Sequence, residues 1–221
     1  AVAEHVITMF LSLSKKILES NNIVKNGEYT KKTLIQNTVE LFNKKIFIIG
    51  FGRIGKQVAN RLKAFKTEIL VYDPILHKTG IDIHPYKFVD LKTGLKESNF
   101  ITIHIPLNNE TKNFISQKEF LLMKNDAILV NTSRGGIVNQ EDLANTLNKG
   151  KLLGAGLDVF TVEPPSKDDP ILKAPNVILT PHNAALTIEC RMRMSIETAE
   201  NIIGVLENNP NKENIINKKI L

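Results

Sequence analysis

The chain has 221 residues, 42% of them hydrophobic, which is enough for one large domain or two small ones. Its single cysteine, Cys190, excludes an internal disulfide framework and fits a reducing compartment such as the cytoplasm. A net charge of +6 admits a nucleic-acid partner, but the lysines are dispersed and the two locally basic stretches are not interleaved with aromatics, so none is expected. Residues 1 to 20 read as one amphipathic helix. Glu4, His5, Lys15 and Lys16 make it too polar to span a bilayer or to serve as a signal peptide, so no membrane partner is expected either. The absence of an initial methionine suggests that residues preceded Ala1. Residues 22 to 43 carry no decisive pattern.

From residue 44 the pattern changes. "KKIFIIG", "EILVYD", "FITIHI", "DAILVN", "LGAGLDV" and "NVILTP" are short apolar runs bounded by turn or polar residues. Runs that are apolar at every position suggest strands covered on both faces, as in a parallel sheet. Helical segments lie between them: "RIGKQVANRLKAF", "SQKEFLLMK" and "NQEDLANTLNKG", the last with a glycine stop. "KTGIDIHPYKF" reads as turns with at most a short strand, and a long helix follows from Thr187 towards Pro210. The alternation predicts an α/β fold, a Rossmann-type doubly wound parallel sheet with flanking helices.

The first strand runs into "GFGRIG", which fits G-x-G-x-x-G at Gly50, Gly52 and Gly55. The pattern alone is weak, and glycines also mark ordinary turns. Between a strand and a helix it has the setting a dinucleotide fingerprint requires. Gly50 permits the tight turn, Gly52 lets a pyrophosphate approach the backbone, and Gly55 lets the helix pack close. Helix-start N–H groups face the phosphates, and Arg53 adds charge. Asp73, at the end of the second strand, is placed to hold ribose hydroxyls. A carboxylate there repels a 2′-phosphate, which favours NAD over NADP.

Ligands of open α/β sheets sit beyond the carboxyl ends of the strands. His104, Pro106 and Thr111 follow one strand. Thr132, Ser133 and Arg134 follow the next, Asp158 and Glu163 the next, and His182 the last. This set can carry hydride chemistry: a histidine to exchange the hydroxyl proton, a carboxylate to orient it, and an arginine to grip a substrate carboxylate. A further acid can accept from the nicotinamide carboxamide. Each residue also has a plainer reading, as a loop charge, a turn acid, a cap or a strand end. His104 is the rival base, but alternation with Ile103 and Ile105 suits a strand-end residue that shapes the cofactor loop. His5, His77 and His84 are expected to be non-catalytic. No spacing suggests a metal site, and Ser133 lacks a nucleophile-elbow context.

The stretches "AVAEHVITMFLSLSKK", "GFGRIG", "HIPLNNETKNFI", "ILVNTSRGGIVNQEDL", "GAGLDVFTVEPP" and "NVILTPHNAALTIEC" together resemble the NAD-binding domain of the D-isomer-specific 2-hydroxyacid dehydrogenases. The resemblance covers nearly the whole chain. It implies a catalytic trio of Arg134, Glu163 and His182, with Glu163 paired to His182. It implies NAD contacts at Arg53, Ile54, Asp73, Thr132, Arg134, Asp158, His182, Ala184 and Ala185, to which Gly50, Gly52, Gly55, Pro106, Thr111 and Ser133 are added from position. Asp158 would meet the nicotinamide amide.

It further implies three parts: residues 1–43 as N-terminal helix and dimerisation region, 44–186 as the NAD-binding domain, and 187–221 as C-terminal helix and tail leading to a substrate domain. Family members ordinarily carry an α/β substrate domain ahead of this first helix, so the expectation is that this piece binds NAD but turns over slowly or not at all alone. The short tail suggests that no regulatory domain follows. The expected substrate is a D-2-hydroxy or 2-keto acid, of phosphoglycerate or hydroxypyruvate/glycerate type. Glu163 counts against a formate enzyme, where glutamine is usual. A homodimer is expected, and the alternative function is an NAD(H)-sensing scaffold of the co-repressor kind.

Overall fold

In the computed structural model, residues 1–30 and 38–217 are described. Part of the stretch that the sequence left unassigned, residues 31–37, lies outside them, as does the end of the tail. The chain divides into two compact units, Val2–Asn183 and Ala184–Leu221 with Ala1.

The larger unit holds seven parallel strands among the described residues, in the order β3-β2-β1-β4-β5-β6-β7. They are β1 (Lys45–Ile49), β2 (Glu68–Tyr72), β3 (Lys87–Phe88), β4 (Phe100–Ile103), β5 (Ile128–Asn131), β6 (Gly154–Leu157) and β7 (Val177–Leu179). All six predicted apolar runs are strands, and the turn-like region contributes the two-residue edge strand β3. The sheet and its flanking helices are the Rossmann-type α/β fold expected.

Side chains alternate across each strand, so the runs split between two cores. Phe47, Ile49, Ile101, Ile103 and Leu129 lie on one face with Leu95, Phe120, Leu143 and Leu147. Those four come from or flank α5 (Leu91–Glu97), α6 (Gln117–Leu122) and α7 (Gln140–Asn148). Ile46, Ile48, Val71, Ile128 and Val130 lie on the other face with Val6, Met9, Phe10, Val58 and Leu62. These helical partners come from α1 (Val2–Ser14) and α3 (Arg53–Leu62). Burial of both faces is why the strands read as unbroken apolar runs.

Two local differences from the sequence reading have clear causes. The expected first helix is two, α1 and α2 (Ile17–Lys25), because Lys16 adopts a left-handed conformation with φ 50°. α1 buries its apolar stripe, whereas α2 has no buried residue. The helix α5 was not foreseen, since Gly94 near its centre weakens the helical signal. A Cβ there would come within 2.2 Å of the Phe47 ring, so the glycine serves close packing.

The smaller unit is built on α8 (Ile188–Leu206), capped by Thr187, whose hydroxyl accepts from the Cys190 N–H at 3.1 Å. The chain then turns back, with Asn214 Nδ2 donating to Asn201 Oδ1 at 3.0 Å. Among the described residues, no helix is long and apolar enough to cross a membrane.

Candidate active site

All strands being parallel, their carboxyl ends share one edge. The strand order reverses between β1 and β4, which opens a crevice there. Gly50, just past β1, has φ 91°, and a Cβ on it would lie 2.5 Å from the His104 carbonyl oxygen just past β4. A Cβ on Gly55 would lie 2.3 Å from the Gly50 carbonyl oxygen. The chain itself therefore demands glycine at both positions. Gly52 is different: it has an ordinary φ of −75°, and a Cβ there would meet nothing within 4 Å. Whatever requires glycine at position 52 lies outside the chain, as expected of a phosphate drawn against the backbone.

Asp73 follows β2. Its Oδ2 accepts from the Phe51 N–H at 2.9 Å, and its Oδ1 caps α4 (Pro74–Lys78) through the Leu76 N–H at 2.9 Å. It thus braces the glycine loop from behind, and a carboxylate has further lone pairs for a ribose hydroxyl.

Beside this loop is a cleft of ≈ 500 Å³ lined by Ile54, His104, Ile105, Pro106, Leu107, Thr132, Ser133 and Arg134. Five of the expected cofactor residues thus share one wall: Ile54, Pro106, Thr132, Ser133 and Arg134. Two buried polar atoms on it, His104 Nδ1 and Thr132 Oγ1, have no hydrogen-bond partner among the described residues. Polar atoms without partners and an open glycine backbone fit a dinucleotide. Burial pushes the His104 pKa down to about 4, so the ring is neutral near pH 7. That suits a loop-shaping residue better than a base. Thr111 does not line the cleft; its hydroxyl closes the 106–111 turn by donating to the Pro106 carbonyl at 2.7 Å.

Arg134 is carried by a loop that Asn131 organises. Asn131 Oδ1 accepts from the Ser133 N–H and hydroxyl, at 3.0 and 2.7 Å, while its Nδ2 donates to the Arg134 carbonyl at 3.0 Å. The Arg134 side chain is exposed, with Nη1 donating to the Ser133 carbonyl at 2.7 Å. The next residue, Gly135, abuts the loop that carries Glu163: a Cβ on it would lie 1.7 Å from the Phe160 carbonyl oxygen.

Glu163 Oε1 accepts from the Phe160 N–H at 2.9 Å, and its Oε2 is 2.7 Å from His182 Nδ1. The bond from His182, then the Phe160 N–H, and the charge of Arg134 hold the Glu163 carboxyl below its ordinary range. A carboxylate only accepts, so Nδ1 of His182 carries the proton of that bond and Nε2 is left to exchange a proton elsewhere. His182 has φ 52°, a left-handed conformation that histidine adopts more readily than most residues. Glu163 and His182 also wall a second cleft of ≈ 400 Å³, mostly apolar, with Phe160, Pro164, Pro165, Leu179, Thr180 and Pro181.

Asp158 sits against the turn that carries His182. It is 1% exposed and already engaged, with Oδ1 accepting from the Thr180 hydroxyl at 2.5 Å and from the Asn183 N–H at 2.9 Å. The ladder explains the first contact. Leu157 of β6 pairs with Leu179 of β7, and the Thr180 N–H continues that pairing to the Leu157 carbonyl. Asp158 and Thr180 therefore leave the sheet side by side. His5 of α1 joins them, with Nε2 3.0 Å from the Thr180 hydroxyl.

Sequence reasoning missed Asn131, Thr180 and His5. His5 borders the buried stripe of Ala3, Val6, Met9 and Phe10, which was the available signal, but nothing in the pattern names the strand it would meet. Ala184 and Ala185 open the smaller unit. No group of three or more histidine, cysteine or carboxylate side chains suited to a metal occurs among the described residues.

The family model described as "D-isomer specific 2-hydroxyacid dehydrogenase, NAD binding domain" matches residues 7–184. A D-3-phosphoglycerate dehydrogenase of Archaeoglobus fulgidus is 39% identical over 95% of the chain. A hydroxypyruvate reductase of Thermotoga maritima is 40% identical over 93% of it. The chain spans 40% and 66% of the lengths of these two relatives. Among solved structures, an NAD-dependent formate dehydrogenase from Staphylococcus aureus in complex with NAD aligns with a TM-score of 0.86 at 33% identity, over 96% of this chain and 63% of that one.

Proposed function

The chain belongs to the D-isomer-specific 2-hydroxyacid dehydrogenase family, as its NAD-binding domain, and on that premise we propose that it is the cofactor-binding and proton-transferring part of an NAD-dependent oxidoreductase. The substrate is a D-2-hydroxy acid or its 2-keto acid, of the phosphoglycerate or hydroxypyruvate type that the relatives' names indicate. The observation that carries this reading is the 2.7 Å pair of His182 and Glu163 within the field of Arg134, at the same sheet edge as an open glycine loop.

Bound NAD supplies the hydride acceptor, and NADH the donor. The glycine loop and the start of α3 would hold the pyrophosphate, with Arg53 adding charge and Asp73 taking the ribose hydroxyls. Ile54, Pro106, Thr132 and Ser133 would wall the cofactor, with Thr111 bracing the turn behind Pro106. Asp158 would meet its nicotinamide end. Arg134 grips the substrate carboxylate with paired N–H groups and polarises the carbonyl. His182 removes the hydroxyl proton at Nε2 in the oxidising direction and returns it to the carbonyl oxygen in the reducing one. Glu163 fixes the tautomer and balances the imidazolium that forms.

In this reading residues 1–43 include a dimerisation region, 44–186 bind the nucleotide, and 187–221 lead to a substrate domain. A cytoplasmic homodimer fits that division. The apolar side of α1 is used inside its own chain, so the exposed Ile17, Leu18 and Val24 of α2 are the better candidates for a partner surface.

The test is direct titration of the chain with NADH by fluorescence. The same protein, alone and with its natural upstream residues, is then assayed for NADH oxidation on a panel of 2-keto acids. Binding by the chain with turnover only in the longer protein is expected. Absence of binding would remove the reading. Tight binding with no turnover in the longer protein would favour a nucleotide-sensing scaffold.

A further inference from the structure

His5 and Thr180 are 175 positions apart in sequence and 3.0 Å apart in space. The direction of each bond follows from the protons available. Asp158, as a carboxylate, only accepts, and its Oδ1 takes the Asn183 N–H and the Thr180 hydroxyl. Thr180 has one hydroxyl proton. Once it is donated to Asp158, the oxygen can only accept, so Nε2 of His5 must carry the proton of the His5–Thr180 bond. The same nitrogen is 3.8 Å from Asp158 Oδ1, so its N–H dipole adds to the field at the carboxylate. The Asn183 N–H closes the relay from the other side, directly after His182, whose own N–H donates to the Thr180 carbonyl at 3.0 Å. Four groups thus converge on the turn that presents the acid/base histidine.

We propose that His5 is a positioning residue for the nicotinamide end of the cofactor cleft. By supplying the Nε2 proton it obliges Thr180 to donate to Asp158, and so fixes the carboxylate that receives the carboxamide and the turn that carries His182. The proposal rests on the assignment of Asp158 to the carboxamide given above. It separates the two ends of the cofactor. The adenosine and pyrophosphate end depends on the glycine loop and Asp73, past β1 and β2, whereas the hydrogen bonds of the relay join His5, Thr180, Asp158 and Asn183. A histidine that merely packed α1 against the sheet would influence both ends alike.

The experiment is calorimetric titration of the chain with NAD and, separately, with ADP-ribose, which lacks the nicotinamide. His5→Ala is expected to raise the Kd for NAD about fivefold, the worth of one ordinary hydrogen bond, with ADP-ribose changed by less than about twofold. His5→Gln keeps an N–H donor at that reach and is expected to restore NAD binding. His5→Glu, which can only accept, competes for the Thr180 proton and is expected to weaken NAD at least as much as the alanine variant. Long-range nitrogen–proton NMR of the unsubstituted chain should show the His5 ring protonated at Nε2. Equal losses for both ligands, no loss for either, or a His5 ring protonated only at Nδ1 would overturn the proposal. If the unsubstituted chain binds neither ligand, the proposed function fails, and the His5 tautomer still decides the relay.

Discussion

The glycine loop and the histidine turn stand at the same edge of one sheet, yet they are built in opposite ways. Around Gly50, Gly52 and Gly55 each constraint is short-range or spans one strand pair: Gly55 packs on Gly50, Gly50 on the residue past β4, and Asp73 ties back to Phe51. Around His182 the pieces arrive from α1, from the ends of β5 and β6, and from the strand that His182 itself follows. Some are held locally, Asn131 shaping the Arg134 loop and the Phe160 N–H holding Glu163, but these loops are joined across segments, Gly135 against the Phe160 carbonyl, Glu163 to His182 and Thr180 to Asp158. A loop of the first kind can be recognised as a word in the sequence. A turn of the second kind exists only when the tertiary structure closes, which makes it sensitive to changes distant from the chemistry.

The comparison can be broken most severely at Arg134. Its guanidinium is exposed and donates to the Ser133 carbonyl, so Arg134→Ala is expected to leave folding intact and NADH still bound. Turnover of the longer protein should fall by about 10²–10³-fold, the usual loss for a lost transition-state donor. An unchanged rate would take Arg134 out of the mechanism. Next comes Gly135, where an added methyl meets backbone rather than a movable side chain. Gly135→Ala is expected to cost about 2–4 kcal/mol in denaturant unfolding, through overpacking at the seam between the Arg134 and Glu163 loops. A stability within error of the parent would show that the seam is loose.

The glycine loop gives the converse. Gly52→Ala adds a methyl that meets nothing in the chain, so its stability should change by no more than about 0.5 kcal/mol. NADH affinity should nonetheless fall by about tenfold or more, because the methyl stands where the pyrophosphate approaches. Loss of stability instead of affinity would mean that the glycine is there for the fold. Asp73→Ser should narrow the preference for NAD over NADP, measured as a ratio of Kd values. Serine can still cap α4, so the helix survives while the repulsion of a 2′-phosphate goes. A ratio that does not move would place the ribose elsewhere.

A further expected effect is in the dependence on pH. The folded-state pKa of His104 is depressed to about 4 from an ordinary 6.5, so the unfolded chain takes up the proton first. Stability should therefore decline as the pH falls from 6.5 towards 4 and be flat in this respect above that window. Glu163, also depressed, contributes above its ordinary carboxylate range, and that contribution is lost as the pH falls through its lowered value. His104→Gln should flatten the upper part of the decline in an unfolding series across pH.

Six of the seven strands, the parallel α/β fold and a glycine loop set between a strand and a helix were legible in the sequence, as was the pairing of Glu163 with His182 that the structure places at 2.7 Å. These features rest on period, on backbone conformations that glycine permits, and on chemistry that few residue types supply. The sequence placed His5 in a helix and expected it to be non-catalytic, without naming a partner for it. It read Asp158 as waiting for a ligand, and residues 1 to 20 as one amphipathic helix. Only the tertiary structure brought His5 to Thr180, set two donors on Asp158, broke the helix at Lys16 and turned α1 into the sheet. Pattern encodes which face of an element is buried, but not which distant element buries it, and hydrogen-bond partners separated by most of the chain are fixed only when that packing closes.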